Sequence, residues 1–238
     1  MIRGVMFDFS GTLLRIESTE DWLGAGLAAT GIRLSDEEFR ATAGRLTEYG
    51  ALPGGSAPRR MPAHLEALWT ERDVSAGQHR AAYGGLALAA GLPEPEPELA
   101  QALYDRHMSP AAWRPYPDTG PTLRELRRRG VPVAVVSNIG WDLRPIFRTH
   151  GLDELVDAYV LSYELGVQKP DPLIFRTACE RLGLPPAEVL MVGDDRTADG
   201  GAAALGCPVH FVDHLPVDRR PHGLTPLLDL LGPERPTA

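Results

Sequence analysis

Three aspartates fall within six residues at the end of an apolar run, in Val192-Gly193-Asp194-Asp195-Arg196-Thr197-Ala198-Asp199. Like charges so close repel one another unless a cation sits among them. Mg²⁺ suits such a set, because it prefers oxygen ligands and commonly uses one or two carboxylates with waters and a phosphate. A solvated acidic turn is the competing account. A further carboxylate, Asp8, closes the run Val5-Met6-Phe7 and leads into Phe9-Ser10-Gly11-Thr12-Leu13. A carboxylate at the C-terminal end of a parallel strand sits where open α/β sheets bind ligands, and Gly11 lets the backbone turn closely around whatever Asp8 attacks or coordinates.

Two more strand ends add groups that phosphoryl chemistry uses. Val133-Ala134-Val135-Val136-Ser137-Asn138 ends in a hydroxyl and an amide, both able to bind phosphate oxygens, although Ser-Asn is also a common turn pair. Lys169 is the sole lysine of the 238-residue chain; every other one of its 24 Lys/Arg positions is arginine. It opens Lys169-Pro170-Asp171-Pro172, at the start of a helix whose N-terminal dipole favours anions, where an amine can hold a nucleophile and a phosphate together. Lone loop lysines are otherwise solvated surface.

The elements that position these groups are legible as short apolar runs bounded by turns: Ile2-Asp8, Val131-Ser137, Ala158-Ser162, Val189-Asp194 and Pro208-Val212. Helical stretches separate them, the pattern of a parallel sheet built from βαβ units. Between the first two runs lies a long stretch without a convincing strand, read here as helical. Ser35-Asp36-Glu37-Glu38 is a capping box that opens a helix towards Tyr49, and Leu52-Pro53-Gly54-Gly55-Ser56-Ala57-Pro58 breaks it. Further helices are expected over Ala63-Glu71, Gly77-Ala90 and Pro97-His107, and another from Asp118 or Thr119 to Gly130. Residues after Pro216 read as a Pro-rich tail with one short apolar helix, Leu224-Leu231.

Composition bounds the rest. With 43% apolar and 24% charged residues this is an ordinary globular chain, and its net charge of -8 disfavours a nucleic-acid partner. Cys179 and Cys207 are too few for a disulfide framework and lack metal-ligand spacing. No run approaches the ~20 apolar residues of a membrane span, and the first residues do not read as a signal peptide. The expectation is a soluble cytoplasmic protein, monomer or homodimer, with a small phosphorylated metabolite as partner.

Asp8-Phe9-Ser10-Gly11-Thr12-Leu13, Ser137, Lys169 and the Asp194/Asp199 pair together resemble, in order, the motifs of the haloacid dehalogenase-like superfamily. The resemblance covers about 1–14 and 116–213. It implies an α/β fold: a three-layer, Rossmann-like parallel-sheet core, over 1–14 and 116–238. The α-helical cap inserted at 15–115 looks like that of the phosphoglycolate phosphatase-like and dehalogenase-like branches. It further implies Mg²⁺-dependent phosphomonoester hydrolysis, in which Asp8 attacks phosphorus to form an aspartyl phosphate. By that resemblance Asp8, the backbone carbonyl of Ser10 and Asp194 hold the metal, Asp195 and Asp199 support it from behind, and Ser137, Asn138 and Lys169 bind the phosphate.

One position departs from the family pattern, Asp-x-Asp-Gly-Thr-Leu: Ser10 stands where the second aspartate protonates the leaving group and then activates water. A serine hydroxyl does not cycle protons near pH 7, and general acid–base help is worth about 10² to 10⁴ in rate. Three outcomes follow: a slow enzyme selective for activated leaving groups, a carboxylate borrowed from the cap base with Glu17, Glu20 and Asp21 nearest in sequence, or inactivity. Haloacid dehalogenation needs no acid and tolerates Ser10, but its metal-free chemistry fits poorly with Asp194, Asp195 and Asp199. Phosphonatase chemistry needs a cap lysine, and none is present. A non-catalytic module that binds a phosphometabolite or a partner is the alternative from another class. Elsewhere, Arg59, Arg60, His64 and Trp69 lie at or just after the Gly/Pro break where substrate-selecting loops could sit, and His210 and His214 read as structural or surface residues.

Overall fold

A computed structural model describes residues 1–231; the last residues of the Pro-rich tail lie outside the described residues. In chain order the strands are β1 (Gly4–Phe7), β2 (Leu14–Ile16), β3 (Trp113–Pro115), β4 (Val133–Ser137), β5 (Ala158–Leu161), β6 (Val189–Gly193) and β7 (Val209–Phe211). The helices are α1 (Thr19–Thr30), α2 (Asp36–Glu48), α3 (Glu66–Thr70), α4 (Ala76–Ala89), α5 (Glu96–Met108), α6 (Thr119–Arg128), α7 (Arg144–Thr149), α8 (Ser162–Leu165) and α9 (Pro172–Leu182).

Five parallel strands form one sheet in the order β5-β4-β1-β6-β7, each within the apolar run expected for it. The runs are continuous rather than alternating because both faces are covered. Val5 and Phe7 of β1 face one apolar layer with Leu123 and Leu126 of α6 and Ile146 and Phe147 of α7. Met6 faces the other, with Ile174, Phe175 and Cys179 of α9 and Ala202. Each fully buried Val, Leu or Phe contributes about 1.5–3 kcal/mol relative to exposure, so this sandwich dominates what holds the sheet in place. No helix among the described residues is long and apolar enough to cross a membrane.

The stretch between the sheet's first two runs holds α1 to α5, as its helical character predicts, and two strands that it does not. β2 and β3 pair antiparallel, Leu14 opposite Pro115 and Ile16 opposite Trp113, where the chain leaves and rejoins the sheet. Ser35 caps α2 with both halves of the capping box formed. α1 is an addition to the expected helices: Ser18 accepts from the Asp21 N–H, and Gly31 ends the helix with φ 74°. Its Trp22 Nε1 donates to the Leu103 carbonyl of α5 at 2.8 Å, which satisfies the indole where it is buried.

The expected apolar helix of the tail is a short 3-10 turn, Thr225–Asp229. α6 starts where expected, with Asp118 at its N-cap position, and the Asp118 Oδ2 accepts from the N–H groups of Leu224 and Thr225 at 2.6 and 3.0 Å, tying that turn to the start of α6.

Candidate active site

β1 is central in the sheet, so Asp8 emerges between the ends of β4 and β6. Its N–H still donates to the Val192 carbonyl at 2.9 Å, which extends the ladder to the carboxylate itself. The chain then turns through Gly11, whose φ of +85° disfavours any side chain. A Cβ there would lie 2.3 Å from His214 Nδ1 and 2.7 Å from Asp194 Oδ2. Arg220, buried in the C-terminal segment, donates to the Gly11 carbonyl at 2.6 Å and to the Thr12 carbonyl, pinning the turn from behind.

Lys169 is 3% exposed, and its Nζ donates to Asp8 Oδ1 and to Asp199 Oδ1, each at 2.6 Å. Two contacts bring it there. Asn138 donates from Nδ2 to the Lys169 carbonyl at 3.0 Å and accepts from the Lys169 N–H at 2.6 Å. Gly201 lets the Asp199–Leu205 turn press against Pro170, since a Cβ would lie 2.8 Å from the Pro170 carbonyl oxygen. The Asn138 side chain thus holds the lysine loop through its oxygen and one of its two amide N–H groups. Ser137 is buried at the end of β4 and is not among the residues lining the cavity, whereas Asn138 is.

One oxygen from each of Asp8, Asp194 and Asp199 lies within 4.8 Å of the other two. Both Asp199 oxygens are engaged, Oδ1 by Lys169 and Oδ2 by the Asp195 N–H. Asp195 turns its Oδ1 back to accept from the N–H groups of Thr197 and Ala198, and its own N–H donates to Asp199 Oδ2 at 2.9 Å. Asp194 is held by Thr12 Oγ1 at 3.3 Å and by His214 Nδ1 at 2.5 Å.

The electrostatics follow from burial and crowding. Burial pushes Asp8 up to about 8, with Asp199 and Asp194 adding to the rise and Lys169 opposing it. Burial also works against a charged Lys169, but Asp199 and Asp8 outweigh it and its pKa is raised. For Asp194, burial is overcome by His214 and Lys169, and the net shift is downward. Three carboxylates face a single lysine ammonium here, an all-oxygen set that fits a hard divalent cation such as Mg²⁺.

These groups form one wall of a cavity of about 230 Å³. Trp69, Arg72, Asp73 and Tyr83, from the helical stretch, also line it, as do Trp113 and Trp141. Arg72 lies over the Trp69 ring at 4.0 Å. Of the residues expected near the Gly/Pro break, Trp69 lines the cavity; Arg59, Arg60 and His64 do not. His214, read from sequence as structural or surface, lines it from the segment after β7. Ser10 lines it too, and its hydroxyl sits 3.5 Å from the Gly54 carbonyl. Glu17 is engaged by Arg106 at 2.7 Å, and neither Glu17 nor Glu20 nor Asp21 reaches the cavity wall.

A family model for haloacid dehalogenase-like hydrolases matches residues 2–206. The chain is 35% identical over 162 residues to phosphoserine phosphatase of Thermus thermophilus, covering 63% of this chain and 64% of that one. It is 31% identical over 207 residues to glyceraldehyde 3-phosphate phosphatase of Methanopyrus kandleri, covering 82% and 76%. Of two further curated relatives it spans only 48% of the length. A crystal structure of a dehalogenase shares the fold, with a TM-score of 0.67 and 24% identity over 97% of both chains. The parallel sheet, the carboxylates at its strand ends and these likenesses agree: the chain belongs to the haloacid dehalogenase-like hydrolase family.

Proposed function

We propose that this protein is a Mg²⁺-dependent phosphomonoester hydrolase acting on a small phosphorylated metabolite through a phosphoryl group carried on Asp8, with 15–115 as a cap over the site. The observation that carries the reading is the buried Lys169 ammonium shared between Asp8 and Asp199, with Asp194 beside them. The two relatives named as phosphatases support it. A bound Mg²⁺ supplies charge to offset the phosphate and the aspartates together.

The chain's own residues do the rest. Lys169 orients Asp8 Oδ1 and leaves its other oxygen to attack phosphorus in line, forming an acyl phosphate as the ester oxygen departs. Asn138 keeps the lysine loop in register, and Thr12 and His214 fix Asp194. Trp69, Trp113 and Trp141 line the cavity and set aromatic surface beside the reacting phosphoryl group. Ser10 provides no carboxyl, so the groups of the sheet alone favour esters whose leaving group needs no proton. The reading places the protein in the cytoplasm.

Phosphate release from p-nitrophenyl phosphate is expected to require Mg²⁺ and to vanish in Asp8→Asn. Ser10 also suits halide expulsion, which needs no acid. Bromide release from a 2-bromoacid without added metal, with no phosphate release from any ester, is the result that favours a dehalogenase instead. Binding of phosphometabolites with neither reaction marks a sensor.

A further inference from the structure

We propose that Asp73, carried into the cavity by the turn between α3 and α4, supplies the carboxyl group that Ser10 lacks, as proton donor to the leaving oxygen and then as base towards water. The proposal rests on the phosphatase reading above.

Five carboxylates line the cavity: Asp8, Asp73, Asp194, Asp195 and Asp199. Four are committed. Asp8 is the attacking group, Asp194 and Asp199 complete the oxygen cluster with it, and Asp195 closes its own turn. Asp73 alone comes from the helical stretch, and it lines the same cavity of about 230 Å³ as the other four.

Its placement is tied to the sheet rather than left to the cap. The Asp73 N–H donates to Gln168 Oε1 at 3.2 Å, and Gln168 Nε2 donates to the Thr70 carbonyl at 2.8 Å. Gln168 immediately precedes Lys169, so the same backbone that delivers the ammonium to Asp8 also fixes the turn that carries Asp73.

The carboxylate itself is underused for a structural residue. It is 3% exposed, yet its polar neighbours are Arg72 Nε at 3.3 Å and His79 Nε2 at 3.8 Å, and neither contact is a hydrogen bond. It caps no helix, because Ser75 takes that role for α4. Leaving a buried carboxylate ionised with open lone pairs is costly, and such groups tend to hold a proton instead. Burial does raise Asp73, against the opposing charges of Arg72 and Lys169. The groups facing it are Arg72, His79, Lys169 and, through the field of its charge, Tyr83 and Tyr104. His79 is held neutral by burial, so it does not compete for the acid role.

In the first step an Asp8 oxygen bonds to phosphorus while the bond from phosphorus to the ester oxygen breaks, and the Asp73 proton passes to that oxygen to release an alcohol. In the second, water attacks phosphorus, its proton passes to the Asp73 carboxylate, and the bond between Asp8 and phosphorus breaks. Phosphate leaves, and both aspartates return to their starting states.

The test compares ethyl phosphate, whose alkoxide needs a proton, with p-nitrophenyl phosphate, whose phenolate does not, in the full chain with Mg²⁺. Asp73→Asn is expected to lower kcat/KM for ethyl phosphate about 10²-fold or more, the usual worth of general acid help. The first-turnover burst of nitrophenolate stays near wild type while its steady state slows. Ser10→Asp added to Asp73→Asn then restores turnover of ethyl phosphate. A merely structural role moves both substrates together. If Asp73→Asn fails to fold, Asp73→Ser serves in its place. Equal losses on both esters, or no loss on either, overturn the proposal while wild-type turnover keeps the phosphatase reading. Wild type releasing phosphate from neither ester overturns both.

Discussion

The strand ends and the helical stretch between β2 and β3 both send carboxylates into one cavity, but they hold them differently. At the strand ends Lys169 meets Asp8 and Asp199 at 2.6 Å, and His214 meets Asp194 at 2.5 Å. Across the cavity Asp73 has ion-pair neighbours at 3.3 and 3.8 Å and no hydrogen bond to them. The first region ties its carboxylates down by short hydrogen bonds and leaves an excess of negative charge, as the proposed binding of a cation with the phosphate requires. The second leaves its carboxylate able to change protonation state. In the proposed reaction, attack at phosphorus belongs to the sheet and proton transfer to the helices.

Breaking the first region has the largest expected effect. Lys169→Met leaves Asp8 and Asp199 buried without their cation. Loss of one partner of a buried pair costs about 3–5 kcal/mol, read by urea unfolding in EDTA, with part of the loss recovered in Mg²⁺. An unchanged unfolding midpoint would show that the ammonium does not hold the cluster.

A smaller effect probes the second region through pH. Burial lowers His79 to about 3, below its ordinary 6.5 in the unfolded chain, so the unfolded state takes up a proton first. Stability contributed by the neutral ring is present above pH 6.5 and lost as pH falls towards 3. Wild type should lose about 1.4 kcal/mol per pH unit more than His79→Gln across the acidic part of that window. Parallel stability curves for the two proteins would contradict it. The comparison cancels the opposite contribution of Asp8, whose raised pKa is common to both.

The smallest effect lies far from the cavity. Ser35→Ala removes the α2 cap and should cost about 1 kcal/mol by urea unfolding, with no change in kcat/KM, because the capping box touches neither wall. A change in activity would mean that the helices are coupled to the site more tightly than their contacts suggest.

The same contrast explains what could be read from residues alone. Strands β1, β4, β5, β6 and β7 are apolar runs closed by turns, with Asp8, Asn138 and Asp194 at or beside the ends of β1, β4 and β6 and Lys169 in the loop before α9, so local pattern locates these elements and the groups they carry. Asp73 has no such signature: it lies in Glu71-Arg72-Asp73-Val74, an ordinary polar turn, which the Gln168 contacts tie to the loop before α9. Nearness in sequence pointed to Glu17, Glu20 and Asp21, but Glu17 is taken by Arg106. The strands β2 and β3 are three residues each and pair across about a hundred residues, too short for alternation to show. α1 did carry a signal in Ser18, Asp21 and Gly31, diluted by glycines at 24 and 26. His214 reaches Asp194 only because Gly11 leaves room for its ring.

The central claim is that Asp8 carries the phosphoryl group. Rapid mixing with p-nitrophenyl phosphate and Mg²⁺, followed by borohydride, reduces an aspartyl phosphate to homoserine, which peptide mass spectrometry reads at residue 8. The account predicts homoserine at position 8 in wild type and none in Asp8→Asn. Steady phosphate release with an unmodified Asp8 at every mixing time, or release that persists in Asp8→Asn, would contradict it.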